Sequence, residues 1–198
     1  VECPSSETWN QQRIDEVVAD LGLPCFVKPN ESGSSIGITR VANAEDLWPA
    51  IEGARKTGSS TVLIEALLAG REFTCGLIPD GTNGIQALPV TEIVSHNAFF
   101  DYAAKYDGQS HEITPADIKE HDTRKLQDTA VRVYQQLHLQ GMARVDMMMA
   151  EGGEPHVIEV NTVPGFSAQS IIPQQADAVG IDKTALISRI IDDALDRR

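Results

Sequence analysis

Cysteine is scarce in this sequence, which has three cysteines among 198 residues. Cys3, Cys25 and Cys75 are odd in number and contain no Cys-x-x-Cys pair, a pattern that argues against a disulfide framework and against a zinc site. This cysteine usage is typical of proteins in a reducing compartment. We therefore expect a cytoplasmic protein.

Long apolar runs are also missing. No segment approaches the length of about 20 apolar residues that a membrane-spanning helix needs. The polar start at Ser5 and Ser6 has no basic region of the kind that opens a signal peptide. The chain does not begin with methionine, and we expect it to be a processed or truncated piece of a longer protein.

Basic side chains are outnumbered, with 16 Lys and Arg against 29 Asp and Glu and a formal net charge of −13. Phosphate backbones select basic surfaces, so this balance argues against a nucleic-acid partner. A small phosphorylated ligand remains compatible with the sequence, because a few local cations and a metal ion decide its binding. We expect small-molecule partners, no nucleic acid and no membrane.

Oxygen ligands are concentrated in two strand-like segments near the end of the chain. Glu159 and Asn161 are two residues apart, so their side chains leave the same face of a strand. Asp146 lies in a second apolar segment, and a glycine turn at 151–154 predicts an antiparallel hairpin. Apolar neighbours predict that these polar groups are partly buried. This oxygen set suits Mg²⁺ shared with phosphates, although a solvated face of an amphipathic sheet is the alternative.

A second group of residues resembles a phosphate cradle. Lys28 ends a predicted strand and is followed by a small polar loop, in which Gly33 allows close backbone approach. Ser34 and Ser35 offer hydroxyl and N–H donors, and Lys28 supplies a positive charge. No Gly-Lys-Ser/Thr opens a helix, so the loop is not a Walker A motif. A plain glycine-rich hairpin loop is the alternative.

Groups suited to a nucleoside follow downstream. Glu65 lies at the end of a predicted strand, and together with Leu67 and Glu72 it could supply an acceptor for a purine, an apolar slot and a carboxylate for a ribose. The long polar segment 95–115 carries aromatic side chains and Lys105. A loop of that length is usually functional, although a surface loop with incidental aromatics is the alternative.

Periodicity predicts the remaining elements. Helices are expected over 7–21, from Asn43 as N-cap, around 126–137, over 173–179 and over 183–195, and strands over 25–29, 36–41, 61–67, 71–78 and 85–94. In the long helix, the apolar face is predicted to carry Leu126, Ala130, Val133 and Leu137. We expect two domains, 1–68 with the phosphate loop and 69–198 with the metal site.

Five motifs occur together in the order and spacing of one known family. They are Phe-Val-Lys-Pro with Gly-Ser-Ser-Ile-Gly (26–37), Leu-Ile-Glu-Ala-Leu-Leu-Ala-Gly-Arg-Glu-Phe (63–73), Asp-Tyr-Ala-Ala-Lys-Tyr (101–106), Ala-Arg-Val-Asp (143–146) and Glu-Val-Asn-Thr-Val-Pro-Gly-Phe (159–166). On these motifs the chain resembles the D-alanine–D-alanine ligase family of the ATP-grasp superfamily. The resemblance implies an α+β ATP-grasp fold, in which two α+β subdomains grip ATP between their antiparallel sheets.

The resemblance also implies roles for individual residues, carried over by position. The nucleotide-binding residues would be Lys28 and Lys105 on the phosphates, Ser34 and Ser35 in the loop that closes over them, and Glu65, Leu67, Leu68 and Glu72 on adenine and ribose. The residues at the reaction centre would be Asp146, Glu159 and Asn161 on two Mg²⁺ ions, Arg144 and the Gly165 N–H on the tetrahedral intermediate, Ser170 and Ile171 on the second D-alanine, and Tyr106 with Ser34 in a closing cluster. Mn²⁺ is a possible substitute ion.

The implied activity is ATP- and Mg²⁺-dependent joining of two D-alanines through an acyl phosphate, as in peptidoglycan precursor synthesis. Family members carry an additional N-terminal domain with an acidic anchor for the first substrate, which this sequence does not show, and the resemblance implies a homodimer at full length. A D-alanine–D-lactate ligase is an alternative, but it carries a histidine in place of Lys105-Tyr106. Another carboxylate–amine ligase and a non-catalytic nucleotide-binding module also stay open.

Overall fold

The computed structural model describes residues 2–4, 9–33, 35–82, 84–95 and 110–196. These residues form two compact units. The first comprises residues up to Leu68 together with the segment Ser95–Ser110, of which only the two end residues are described. The second comprises Ala69–Val94 and the chain from His111 onward. The assignment of these units to functional domains stays a prediction.

The first unit is a four-stranded antiparallel sheet with helices on one face. Its elements are β1 (Glu2–Pro4), α1 (Gln11–Leu21), β2 (Cys25–Pro29), β3 (Thr39–Val41), a 3₁₀ turn (Ala44–Asp46), α2 (Leu47–Arg55) and β4 (Thr61–Ala66), and the strand order is β1-β4-β2-β3. Val27 and Ile64 point from the two central strands into a core closed by Ile51 of α2. Strand alternation therefore places Lys28 and Glu65 on the opposite face.

Three sequence predictions for this unit are wrong in detail. The first helix begins at Gln11, because the Oδ1 of Asn10 accepts the N–H of Arg13 at 2.9 Å and caps it there. The strand predicted from residue 36 begins at Thr39, since residues 35–37 form a turn. Asn43 precedes the 3₁₀ turn without a side-chain cap and instead donates to Asp46.

The second unit is built on a six-stranded sheet. Its elements are β5 (Arg71–Pro79), β6 (Ile85–Ala87), β7 (Thr91–Ser95), β8 (Ser110–Ile113), α3 (Glu120–Gln136), β9 (Ala143–Met149), β10 (His156–Asn161), α4 (Ile171–Asp177) and α5 (Lys183–Asp196). The strand order is β10-β9-β5-β7-β8, and β6 pairs with the far end of β5. The long strand β5 therefore lies at the centre of the sheet.

The two faces of this sheet have different neighbours. One face packs under α3, where Phe73 and Val145 meet Leu126 in a buried apolar cluster. The other face is covered at one end by α4 and α5, where Ile78 packs against Leu186. The rest of that second face carries polar side chains from β5, β9 and β10. No helix in the described part of the chain is long and apolar enough to cross a membrane.

Two predictions for this unit are also corrected. The strand expected over 85–94 is two strands that both pair with β5, because Pro89 lacks an N–H for the sheet and the strand pairing is interrupted at 88–90. The helix α3 ends at Gln136, so Leu137 lies beyond its last turn and is 55% exposed. Tyr134 takes the buried position instead.

Candidate functional site

The carboxylate cluster is built on the β9–β10 hairpin, which is antiparallel as predicted. Asp146 pairs across the hairpin with Glu159, and Arg144 pairs with Asn161. A register shift between Val157 and Glu159 sets this pairing. The hairpin therefore brings together the four residues that the sequence assigned to the reaction centre from these strands.

Asp146 is the centre of the cluster and is 8% exposed. Its Oδ1 accepts hydrogen bonds from Thr74 Oγ1 at 2.5 Å and from Arg144 Nε at 2.9 Å. Its Oδ2 accepts from Arg144 Nη2 at 2.8 Å and from Asn161 Nδ2 at 2.9 Å. A buried carboxylate is costly without partners, and these donors from three strands satisfy both of its oxygens.

Glu159 completes the cluster from the edge of the sheet. Its Oε1 accepts a weaker hydrogen bond from Asn161 Nδ2 at 3.3 Å. The side chain is exposed, so the prediction of partial burial is wrong for Glu159, although it is right for Asp146. The reason is that β10 is an edge strand with one neighbour, whereas β9 lies between β10 and β5.

Arg144 lies in a field of negative charge. Burial alone would lower the pKa of its guanidinium, but the hydrogen bonds and charge of Asp146 and the charges of Glu159 and Glu112 raise that pKa above its usual range. Arg144 is therefore a fixed cation that forms a bidentate pair with Asp146. Such a cation on the open face of a sheet suits an anionic ligand or a developing oxyanion.

The first unit carries an ion pair on the face of its sheet that lies opposite α1 and α2. Lys28 Nζ lies 2.7 Å from Glu65 Oε2, and their side chains are 19% and 46% exposed. The two residues come from neighbouring antiparallel strands, β2 and β4. The sequence had given them separate roles, on phosphate and on nucleoside, and did not predict that they pair.

The other predicted nucleotide residues lie around these strands. Leu67 and Leu68 directly follow β4 and are 45% and 37% exposed. Ser35 lies in the turn after the small polar loop with a φ of 59°. Glu72 is half-buried on β5, in the second unit. The predictions for Ser34, Lys105 and Tyr106 lie outside the described residues.

The predicted acceptor-site residues lie at the start of α4. Ser170 immediately precedes the helix, and its Oγ accepts the N–H of Ser167 at 2.9 Å. The same Oγ lies 3.0 Å from the position that a Cβ on Gly165 would take, so the glycine makes room for this turn. Ile171 is the first residue of the helix and is half-buried. Gly165, Ser170 and Ile171 are thus brought together as one turn.

The sequence interpretation missed two residues that contact this site. Thr74 could have been found, because it follows Glu72 by two residues on one strand and therefore shares its face. Gln175 could not, since it reaches β5 from a helix 99 residues away along the chain from Gly76. No local pattern predicts how a helix is placed on a sheet.

The donor set fits a hard divalent cation. Two carboxylates and an amide converge within hydrogen-bonding distance of one another, and such oxygen ligands suit Mg²⁺ or Mn²⁺. Among the described residues no group of three or more His, Cys, Asp or Glu side chains is placed to hold a metal. The candidate site therefore depends on the amide of Asn161 and on ligands from a substrate.

The architecture defines the class of protein. Antiparallel sheets in two α+β units, with a lysine–glutamate pair on one and a carboxylate–amide–arginine cluster on the other, are the arrangement of the ATP-grasp fold. The chain belongs to the family described as "D-ala D-ala ligase C-terminus", whose model matches residues 3–192. The fold class and the family expected from the sequence motifs are confirmed.

Known proteins of this family align with nearly the whole chain. It is 46% identical over 185 residues to a D-alanine–D-alanine ligase of Porphyromonas gingivalis, covering 93% of this chain and 56% of the relative. The crystal structure of VanG D-Ala:D-Ser ligase from Enterococcus faecalis superposes with a TM-score of 0.84 at 32% identity, covering 96% of this chain and 55% of the other. D-alanine–D-alanine ligase from Bacillus anthracis complexed with ATP superposes with a TM-score of 0.79 at 30% identity, covering 100% and 60%. The chain spans about half the length of the curated relatives it matches.

Proposed function

We propose that this chain is the ATP-binding part of a ligase that joins two D-alanines through an acyl phosphate, for peptidoglycan precursor synthesis. The observation that carries the proposal is the cluster around Asp146, in which Arg144, Glu159 and Asn161 meet on the open face of a sheet. These are the residue types that a phosphoryl-transfer site requires, namely metal-binding oxygens beside a fixed cation.

The nucleotide would bind through the residues that the family resemblance assigns to it. Lys28 and Lys105 would neutralise the phosphates, and Ser34 and Ser35 would donate to them. Glu65, Leu67, Leu68 and Glu72 would contact adenine and ribose. The exposure of Leu67 and Leu68 supports this role, since a planar base needs an accessible apolar surface.

Asp146, Glu159 and Asn161 would hold two Mg²⁺ ions, with Mn²⁺ as a substitute. When bound, these ions would neutralise the charge of the ATP phosphates. Asn161 donates from Nδ2 to both carboxylates, which keeps the three side chains within reach of a common ligand. The ion pair with Asp146 holds the guanidinium of Arg144 on the same face.

The reaction follows from these parts. A carboxylate oxygen of the first D-alanine attacks the γ-phosphorus of ATP, ADP leaves, and an acyl phosphate forms. The deprotonated amine of the second D-alanine attacks the acyl carbon, and phosphate leaves with the oxygen it gained. Arg144 and the N–H of Gly165 would stabilise the oxyanion of the tetrahedral intermediate. Ser170 and Ile171 would hold the second D-alanine.

The family to which this chain is similar includes ligases with different acceptors. The structural relative VanG is a D-Ala:D-Ser ligase, and the alternative acceptor that the sequence left open is D-lactate. We propose that Lys105 and Tyr106 favour D-alanine, because D-alanine–D-lactate ligases carry a histidine in place of this Lys-Tyr pair. Replacing Tyr106 by His should raise depsipeptide formation from D-lactate, most visibly at low pH where the competing amine is protonated.

The proposal is tested with isotope-labelled substrate. The protein, as its source makes it, is incubated with ATP, Mg²⁺ and D-alanine labelled with ¹⁸O in the carboxylate. An acyl phosphate transfers one labelled oxygen to the released phosphate, and mass spectrometry should detect that phosphate together with D-alanyl-D-alanine. Offering D-serine and D-lactate in competition identifies the acceptor. Nucleotide binding without labelled phosphate would instead favour a non-catalytic binding module.

Two further features belong to this proposal. The ligase would act in the cytoplasm, where ATP is available, and the full-length protein would form a homodimer. Size-exclusion chromatography with light scattering on the native protein tests the dimer, and cell fractionation tests the compartment.

A further inference from the structure

Gln175 is a fully buried polar side chain on α4 with every hydrogen-bonding group satisfied. Its Oε1 accepts the N–H of Gly76 at 2.9 Å. Its Nε2 donates to the carbonyl of Thr74 at 3.0 Å and to Thr91 Oγ1 at 2.9 Å. One amide thus joins α4 to both β5 and β7, at 0% exposure.

The sheet is shaped to receive this amide. A Cβ on Gly76 would lie 2.5 Å from Gln175 Oε1, which is closer than real side chains approach. The glycine in the middle of a central strand gives up side-chain packing, and such a glycine often marks a close approach by another group. The missing side chain at Gly76 therefore leaves a recess in the strand, and the side chain of Gln175 fills that recess.

One residue, Thr74, separates the side-chain amide of Gln175 from the candidate metal site at Asp146. Thr74, whose carbonyl accepts from Gln175, donates its hydroxyl to Asp146 Oδ1 at 2.5 Å. At the other end, Gln175 lies on the helix that begins directly after Ser170. The same side chain therefore sets the position of Thr74 beneath Asp146 and the position of the turn that carries Ser170.

We infer that Gln175 is a positioning residue that couples the cation site at Asp146 to the acceptor site at Ser170, through Thr74 on one side and α4 on the other. The inference rests on the proposed function, because it assigns a role within that site. Residues behind metal ligands orient them, and their loss weakens metal binding even when the ligands themselves remain.

A purely structural role makes a different prediction. Leu186 on α5 is buried in the apolar cluster under α4 and stabilises the same end of the sheet. Leu186→Ala should therefore destabilise the unit without disturbing Thr74. If Gln175 only anchored the helix, Gln175→Met and Leu186→Ala would behave alike once corrected for the fraction of folded protein.

The experiment measures cation binding apart from turnover. Mn²⁺ binding in the presence of ATP is followed by water-proton relaxation, KM for the second D-alanine by steady-state kinetics, and Tm by thermal melting, all on the protein as its source makes it. Gln175→Met should weaken Mn²⁺ binding by roughly tenfold and raise that KM by a similar factor. Leu186→Ala should lower Tm and leave both constants at the wild-type values.

A double-mutant cycle tests the route through Thr74. Thr74→Val removes the hydroxyl that donates to Asp146, so it should weaken Mn²⁺ binding by itself. If Gln175 acts through Thr74, adding Gln175→Met to Thr74→Val should change Mn²⁺ affinity little further, while the two losses of Tm should add. Gly76→Ala, which displaces the amide without removing it, should shift the same constants if Gln175→Met fails to fold.

The outcomes distinguish a failure of this inference from a failure of the proposed function. A wild-type protein that binds Mn²⁺ with ATP and makes dipeptide, combined with Gln175→Met and Gly76→Ala variants that lose only Tm, overturns the inference and leaves the proposed function standing. A wild-type protein that binds no Mn²⁺ with ATP and makes no dipeptide overturns both.

Discussion

At the scale of single residues, Asp146 meets two requirements with the same carboxylate. Folding buries it in the sheet, which requires donors, and Thr74, Arg144 and Asn161 supply them. The proposed function requires its oxygens to face a cation, and the neighbouring carboxylate of Glu159 lies on that exposed side. The surroundings of Asp146 therefore hold it rigidly before any ligand binds, which is the preorganisation that a metal site needs.

Glu159→Gln should lower Mg²⁺-dependent affinity for ATP and abolish turnover while the fold is retained. The change removes a charge but keeps the shape of an exposed side chain, so Tm should move little. Calorimetric titration with ATP and Mg²⁺ and a thermal melt of the same sample check both parts. The matched control is Glu151→Gln. Glu151 lies in the turn of the same hairpin, is exposed and forms an ion pair with Lys119, so its replacement should change neither the ATP affinity nor Tm. Unaltered activity and Mg²⁺ requirement in Glu159→Gln would favour a solvated strand residue.

Cys75 should make the protein less stable at alkaline pH. Burial raises the pKa of its thiol to about 12, from an ordinary value near 9.0. Below about pH 9 the thiol is protonated in both states, and between these values only the unfolded chain loses the proton. Stability should therefore fall as pH rises through that window, by up to about 1.4 kcal/mol per pH unit from this group. Denaturant melts from pH 8 to pH 11 (about the accessible range) should show a steeper loss for wild type than for Cys75→Ala.

At the scale of elements, β5 organises the second unit. It pairs with β9 on one side and with β6 and β7 on the other. Its alternate residues face the α3 core through Phe73 and the site through Thr74. Because α4 also packs on this strand, both the candidate site and the core contain residues of β5. A substitution in β5 should therefore perturb both.

Gly76→Ala should destabilise the protein by about 1–3 kcal/mol, since the added methyl group collides with Gln175 Oε1 and crowds Ile172 and Leu88. The matched control is Gly53→Ala in the helix α2, where a Cβ meets nothing within 4 Å. Alanine is the better helix former, so the control should be neutral or stabilising by up to about 1 kcal/mol. Urea unfolding measures both. Equal stabilities of the two variants would mean that the recess at Gly76 is not tightly filled.

At the scale of the whole molecule, most of the proposed nucleotide residues belong to the first unit, while Glu72 and the proposed cation residues belong to the second. The alignment with the Porphyromonas gingivalis relative includes 93% of this 198-residue chain but only 56% of that protein. We therefore expect ATP binding and catalysis to be separable when these 198 residues are tested alone.

The isolated 198-residue chain should bind ATP with Mg²⁺ weakly and should make little dipeptide. The family resemblance assigns the anchor of the first substrate to an N-terminal domain of the relatives, and these 198 residues span 56% of the Porphyromonas gingivalis ligase. Holding both reactants in line can lower a barrier by about 7–11 kcal/mol, which the chain alone would not gain. Fluorescence titration with an ATP analogue and a phosphate-release assay with D-alanine make the comparison. Vigorous D-alanine-dependent phosphate release would refute this expectation.

Local sequence patterns were enough to predict the hairpin, the residue types at its centre and the family. Alternation places Glu159 and Asn161 on one face whatever surrounds them, and a glycine turn returns the chain antiparallel to bring Asp146 opposite. Such features are local, because they depend on strand geometry over fewer than twenty or so residues. Motif order added the fold class, which the structural relatives confirm.

The burial of these groups and the identity of their hydrogen-bond partners depend on the packing of the folded chain. Asp146 is buried and Glu159 is exposed because their strands occupy different places in the sheet. The sequence of a single strand does not specify that place. The Lys28–Glu65 pair and the contact of Gln175 with Thr74 join segments far apart in sequence. Such contacts depend on how helices and strands pack, which is set by the burial of the whole apolar core rather than by any local pattern.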